Sequence, residues 1–321
     1  MSDSPELLFV DAFAGPGEYL AGEPGSPIVA LNAVLNHSRD LQKPVRLVFI
    51  ESRKDRYENL CARIAAERSR ISASSRVIVE DPIHGECDAE LQKLIRRRAQ
   101  ERRPLGPALF FLDQFGYSQV PMTLLKSILS HEQCEAFSYL NCQRMNEFLA
   151  DETKWPSITQ AYGDDSWEGA LQLSGAARQD HLIESYKNAI RQNASVKYVW
   201  SFAMFDSNGH LIHWLIFSSH SVRGLEEMKR AMWKADEAGE YRFSDRVNAS
   251  GQTSFFSMLK DESLADELSQ TLSAQTLSEW DLKEFVMTKT PFYLYKTAVN
   301  LLRKQGRAFP AEKGKFPVRF Q

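Results

Sequence analysis

Apolar residues in the first half of the chain fall in short blocks separated by stretches of helical period. Runs rich in β-formers occur at Leu7 to Val10, Val45 to Ile50, Arg76 to Val79, Ala108 to Leu112 and Phe137 to Leu140. Between the first four lie segments with helical spacing, Ile28 to Asn36, Asp55 to Arg68 and Ala89 to Arg102. Strands alternating with helices predict βαβ units, and hence a parallel, doubly wound sheet. Two later runs, Val196 to Phe205 and Leu211 to Ser218, are joined by DSNGH, whose turn chemistry predicts an antiparallel hairpin. Between Gln143 and Ser195 sits a helical insertion with Trp155, Tyr162 and Trp167, which reads equally as a substrate lid or as packing helices.

From about Leu264 the pattern changes. Helical segments at Leu264 to Leu272, Ser278 to Met287 and Phe292 to Lys304 are followed by RAFPAEKGKFPVRF, two short strands around a Lys-Gly-Lys turn. Ser278 and Asp281 form a capping-box variant, and Pro291 stands where a new helix starts. Helix, helix, helix, hairpin is the layout of a winged helix-turn-helix. The expected organisation is an α/β domain over residues 1–260, with its insertion at about 143–195, and a winged helix-turn-helix domain over residues 261–321.

A chain of 321 residues with 43% hydrophobic and 25% charged residues is that of an ordinary globular protein. No apolar run approaches the roughly 20 residues that span a bilayer, and the first residues lack the basic flank of a signal peptide. No membrane partner and a cytoplasmic location are therefore expected. Cys61, Cys87, Cys134 and Cys142 contain no CxxC and read as buried thiols rather than a disulfide or zinc framework. The net charge of −3 excludes a polycationic nucleic-acid coat but permits a local basic face.

Candidate chemistry gathers where strands end, because in a doubly wound sheet ligands lie across the carboxyl edge. LLFVDAFAGPG runs from an apolar strand through Asp11 and Phe13 into a turn with Gly15 and Gly17. Glycines there let a ligand approach backbone. A carboxylate before them would repel a pyrophosphate and suits a cationic ligand. Glu51, Asp81 and Asp113 follow the next three strands. Glu51 lies 34 residues beyond Gly17, further than the roughly 20 of a dinucleotide fingerprint. It would accept from ribose hydroxyls, while Asp81 would accept from an adenine amino group in competition with Glu80.

The run hydrophobic-Asp-x-Phe-x-Gly-x-Gly resembles motif I of class I S-adenosylmethionine-dependent methyltransferases. Asp113 opens DQFG, where amino-methyltransferases carry Asp/Asn-Pro-Pro-aromatic. That resemblance implies that Asp113 orients a target amine and that Phe115 stacks on a base. VDAFAGPG, GSPIVAL, FIES, FLDQFGYSQVP, LIFSSHS and GLEEMKRAMWKAD together resemble the three-Cys-motif partner (TcmP) family. The resemblance implies a Rossmann-like methyltransferase sheet finished by an antiparallel hairpin, S-adenosylmethionine as cofactor, and a partner protein that carries a three-cysteine, radical-cofactor-like motif. Gln114 stands where the family usually has Pro, and no helix precedes the first strand, which implies a more open pocket.

The tail from Pro291 carries Lys296, Arg303, Lys304, Arg307, Lys313, Lys315 and Arg319 against the single acid Glu312. Helical spacing assigns Leu294, Ala298, Leu301 and Leu302 to a core and Lys296, Asn300 and Arg303 to solvent. With Lys304, Lys313 and Lys315 they form a basic helix and wing that would neutralise the phosphates of DNA or RNA. Lys229, Arg230 and Lys234 read as the solvated face of an amphipathic helix. His84-Gly85-Glu86 lacks the second half of a zinc deaminase signature, and His210, His213 and His220 around the hairpin read as packing or solvent-facing rather than metal ligands. Two functions follow: a methyltransferase acting on nucleic acid, and a non-catalytic nucleic-acid-binding or scaffold subunit with a relict pocket.

Overall fold

A computed structural model describes residues 4–19, 22–114, 119–206, 210–235, 242–244, 253–310 and 316–320. The chain divides into two units, Met1–Ser201 with His213–His220, and Phe202–Ile212 with Ser221–Gln321. In chain order the first unit begins with β1 (Leu7–Asp11), α1 (Ser26–Leu35), β2 (Val45–Glu51), α2 (Lys54–Ala66), α3 (Arg68–Ser72) and β3 (Val77–Val79). It continues through β4 (Ile83–His84), α4 (Cys87–Gln100), β5 (Ala108–Leu112), α5 (Met122–Leu129) and β6 (Cys134–Asn141). The insertion contributes α6 (Cys142–Leu149), α7 (Trp155–Tyr162) and α8 (Gly175–Ala194). The hairpin strands β7 (Tyr198–Phe205) and β8 (Leu211–Ser219) follow, their tip falling in the second unit.

The sheet runs β3-β2-β1-β5-β6-β8-β7. Pairings are parallel from β3 to β6, and β8 joins β6 antiparallel with Leu140 opposite Trp214 and Asn141 opposite His213. This is a mixed α/β fold with a mostly parallel central sheet, consistent with a Rossmann-like fold. Strand alternation explains why it is wound on both faces. On β2, Val48 and Ile50 join Val10, Phe110, Leu112, Leu91, Leu125 and Ile190 on one side. Leu47 and Phe49 join Ile28, Leu31, Leu60 and Ile64 on the other. Each such burial contributes about 1.5–3 kcal/mol before the chain's ordering cost.

The insertion belongs to this core. Tyr162 and Trp167 are fully buried with Tyr186 of α8, and Trp155 packs edge-on to Trp167. Its helices are therefore packing helices rather than a lid. Cys87 and Cys134 are buried as expected, whereas Cys61 is half-buried. Among the described residues no helix is long and apolar enough to cross a membrane.

The second unit holds α9 (Val222–Ala235), β9 (Arg242–Ser244), which pairs in parallel with Ala203–Phe205, and α10 (Thr253–Thr271). β10 (Thr276–Leu277), α11 (Glu279–Lys289), α12 (Tyr295–Lys304), β11 (Ala308–Pro310) and β12 (Val318–Phe320) complete it, with the three short strands ordered β10-β12-β11. Ser278 caps α11, its hydroxyl accepting from Asp281 N–H at 3.1 Å.

Two expectations for this unit are corrected. Lys229 is not on a solvated face: it is fully buried, and its ammonium donates to the carbonyls of Met287 at 2.7 Å and Thr290 at 2.6 Å. A cation thus satisfies carbonyls left open at the end of α11. Replacing it with Met should lower the unit's stability by about 1.5–3 kcal/mol, the cost of hydrogen bonds to a charged donor. Faster amide exchange in α11 checks this, and unchanged exchange would refute it. The register of α12 also differs, because the buried set is Tyr295, Ala298, Val299 and Leu302, while Leu294 precedes the helix and is exposed.

Candidate functional site

The carboxyl ends of β2, β1 and β5 are neighbours, and each carries an acid. Asp11 and Glu51 are the last residues of their strands, and Asp113 stands one residue beyond β5. Asp11 is completely buried. Its Oδ1 accepts from the Phe13 N–H at 3.1 Å and its Oδ2 from the Ser26 hydroxyl at 2.5 Å, tying the strand end to the first turn of α1. Burial pushes its pKa up to about 7; the Ser26 and Phe13 hydrogen bonds oppose this, and the charges of Asp113 and Glu51 reinforce it. Asp11 therefore shapes the loop from inside, with no surface offered to a ligand.

Glu51 sits above that loop, 5% exposed. Its Oε2 accepts from the Gly15 N–H at 2.9 Å and its Oε1 from the Arg53 N–H at 2.7 Å. A carboxylate offers about four acceptor positions, so two remain for a ligand. Gly15 has φ +67°, and a Cβ built there meets nothing within 4 Å. Open space over bare backbone is a cradle that a side chain would fill. Gly17, at φ +81°, accepts from Gly25 N–H at 2.8 Å and packs so closely that a Cβ on Gly25 would stand 3.0 Å from its carbonyl carbon.

Asp113 is half-buried, and burial raises its pKa above the ordinary carboxylate range. Gln114 beside it is 1% exposed and makes three hydrogen bonds. Its Nε2 donates to the Tyr139 carbonyl at 3.0 Å, and its Oε1 accepts from Gln119 N–H at 3.0 Å and Val120 N–H at 3.1 Å. The amide thereby clamps both ends of the segment after β5 to β6. Proline at this position could make none of these bonds. Phe115, within that segment, lies outside the described residues.

Charge is distributed unevenly between the two edges of the sheet. At the amino edge Glu6, just before β1, pairs with Arg46 at 2.9 Å, Arg98 at 3.1 Å and Arg103. At the carboxyl edge none of Asp11, Glu51 and Asp113 forms an ion pair among the described residues. Glu51 and Asp113, without a counter-ion and partly desolvated, favour a cation, whereas the fully buried Asp11 has no face to offer one.

Asp81 stands apart from this set. β3 stops at Val79, and the Asp81 side chain is exposed, 3.6 Å from Arg68. Glu80 is occupied by Arg46 and Arg97, at 3.4 and 2.9 Å, which removes it as a competitor. Phe13 is half-buried against the core. His84, on the unforeseen strand β4, lies opposite Glu51 and stacks on Tyr57 at 5.0 Å. His213 stacks on Tyr139 at 4.2 Å. Among the described residues no group of three His, Cys, Asp or Glu could hold a metal. Sequence reasoning missed Ser26 and Gln114. Ser-Pro after Gly25 was a helix-start signal for the first, and nothing local signalled the second.

In the second unit Lys296 and Asn300 are exposed on α12 as expected, Lys304 is exposed too, and Arg303, expected to face solvent, is half-buried. Lys296 pairs with Glu279 at 2.6 Å, and the half-buried Arg303 places its guanidinium 5.7 Å from the Phe316 ring. Lys313 and Lys315 lie outside the described residues.

No family model matches the chain, and no curated protein does. Among solved structures it is similar to a possible exported protein from Bordetella parapertussis, with 8% identity over 68% of this chain and 63% of that one, and a TM-score of 0.27. It is also similar to a SAM-dependent methyltransferase from Methanosarcina mazei, with 7% identity over 68% of this chain and 94% of that one, and a TM-score of 0.26. Likenesses this slight carry no argument about function.

Proposed function

We propose that the chain is an S-adenosylmethionine-dependent methyltransferase of the TcmP type, acting on nucleic acid held by a C-terminal winged helix-turn-helix. The observation that carries this is the open backbone at Gly15 beneath Glu51, which keeps two acceptor positions, with Asp113 on the same sheet edge and the buried Asp11 anchoring the loop. A ligand with a sulfonium, an amino group and ribose hydroxyls matches an edge that is acidic and offers free acceptors. Glu51 would take the ribose hydroxyls, Gly15 and Gly17 the backbone-facing side, Phe13 the apolar contact, and Asp81 the adenine amino group. Asp11 would act through the loop it anchors. When bound, the cofactor supplies an electrophilic methyl group.

Asp113 would accept a hydrogen bond from the target amine, directing its lone pair at the methyl carbon and stabilising the positive charge that develops on nitrogen. Gln114 would position Asp113 and the stacking residue Phe115. A base target must be unpaired or flipped to reach such a site. Support for the nucleic acid comes from the basic tail and the order α10, β10, α11, α12, β11, β12. Support for a three-Cys-motif partner comes from the sequence resemblance alone.

Titration with S-adenosylhomocysteine in a calorimeter tests the cofactor site. Glu51→Ala should weaken binding by about 1.5–3 kcal/mol, the loss of hydrogen bonds to a charged acceptor. Unchanged affinity removes Glu51 from the site. A parent chain that binds nothing favours the scaffold subunit with a relict pocket.

A further inference from the structure

The small sheet of the second unit carries an aromatic ring and a guanidinium side by side on its outer surface. Thr276 of β10, Arg319 of β12 and Phe309 of β11 lie in one register row across the three strands. Their neighbours Val318, Phe320 and Ala308 are buried, so alternation turns the row outward. Thr276 and Arg319 are exposed, and Phe309 is 42% exposed. Directly opposed residues in such a sheet hold their Cβ atoms about 5 Å apart, close enough for Phe309 and Arg319 to address one ligand.

What sets Arg319 apart from Lys289 and Lys304, which likewise form no ion pair among the described residues, is the exposed Phe309 ring opposite it in the sheet. Among the described residues of this unit Lys296 is matched by Glu279, Arg307 by Asp266, Lys283 by Glu226, and Lys229 is buried on carbonyls. Arg319 makes no ion pair or hydrogen bond, and Phe309 has no ring partner among the described residues. An unpartnered ring beside an unpartnered guanidinium complements a planar base joined to a phosphate.

We propose that this sheet face binds single-stranded nucleic acid, Phe309 stacking on an unpaired base and Arg319 holding the adjoining phosphate. The proposal deepens, and rests on, the nucleic-acid part of the function proposed above. It selects single strands because a ring on a flat sheet reaches a base only when that base has left its own stack. It also moves the principal contact from Lys296, which must first leave Glu279, to residues that are already free.

The test is fluorescence anisotropy of the full chain with a labelled oligothymidylate of about 20 nucleotides and a duplex of the same length, over a salt series. Phe309→Ala should weaken single-strand binding about tenfold or more at constant salt slope, and Phe309→Trp should restore it. Arg319→Ala should flatten the single-strand slope by about 0.7. Duplex binding should not respond to Phe309→Ala. Parent-like single-strand binding by Phe309→Ala overturns the proposal, as does an equal loss on both probes. Duplex binding without preference for the single strand overturns this proposal and leaves the nucleic-acid function standing. No binding of either probe by the parent removes both, and the face is then a protein-docking surface.

Discussion

Replacing Glu6 with Ala should cost about 3–5 kcal/mol of folding stability, because it strands buried positive charge. Arg98 is 2% exposed, and its guanidinium is shared between Glu6 and the Pro104 carbonyl, while Arg46 and Arg103 converge on the same carboxylate. Burial alone would raise the Glu6 pKa, but the hydrogen bond and charge of Arg46, the hydrogen bond of Arg98 and the charge of Arg103 hold it below the ordinary value. The sign of the pH effect follows. As pH falls, the unfolded chain takes up this proton before the folded one does, so the stabilisation is present at neutral pH and lost on acidification. Glu6→Gln should therefore be less stable than the parent at pH 7 and show a shallower loss of stability between about pH 5 and 3. Chemical denaturation at several pH values measures both, and parent-like curves would show that the network is not a stability element.

These strands were legible because each is a mostly apolar run followed or closed by an acid: Leu7–Asp11, Val45–Glu51 and Ala108–Leu112 need only period and propensity. Helix α5 was not expected, since PMTLLKSIL is as apolar as a strand and its periodicity spans only two turns. The two-residue β4 was invisible for another reason: Ile83–His84 gains strand geometry from pairing with Ile50–Glu51, a contact remote in sequence. Lys229 shows the same limit. On a helical wheel it belongs with Arg230 and Lys234, and only the approach of α11 turns it into a buried donor.

At the candidate site, the identity of the acids was legible, but their division of labour was not. Asp11, Glu51 and Asp113 sit at strand ends as expected, yet Asp11 spends both oxygens on Phe13 and Ser26 and touches only the chain. Asp81 was grouped with them because VIVED reads as one strand, whereas β3 ends at Val79 and leaves Asp81 on the exposed connection to β4. Gln114 looked like a defect in a motif. Its three hydrogen bonds make it a clamp, a role that depends on Tyr139, 25 residues away.

Asp113→Ala should reduce methyl transfer by a factor on the order of 10²–10⁴ while changing S-adenosylhomocysteine affinity by no more than a few fold. The asymmetry follows from where the side chain stands. Glu51 is anchored to the glycine loop through Gly15, so its loss is felt by any ligand lying on that loop. Asp113 follows β5 on the other side of β1, next to Gln114 and the segment it clamps, and its proposed contact is made to the nucleophile. An interaction realised with the acceptor alone affects turnover and leaves cofactor binding nearly intact. Acid should mimic the substitution. Burial raises the Asp113 pKa, so a carboxylate that must accept from the amine is protonated, and activity falls, at a pH above the ordinary aspartate range. Transfer of a tritiated methyl group into DNA or RNA, followed against pH in the parent and in Asp113→Asn, measures both effects. An acid limb that persists unchanged in Asp113→Asn, or an equal loss of cofactor affinity, would assign the titrating group elsewhere and make Asp113 a cofactor ligand.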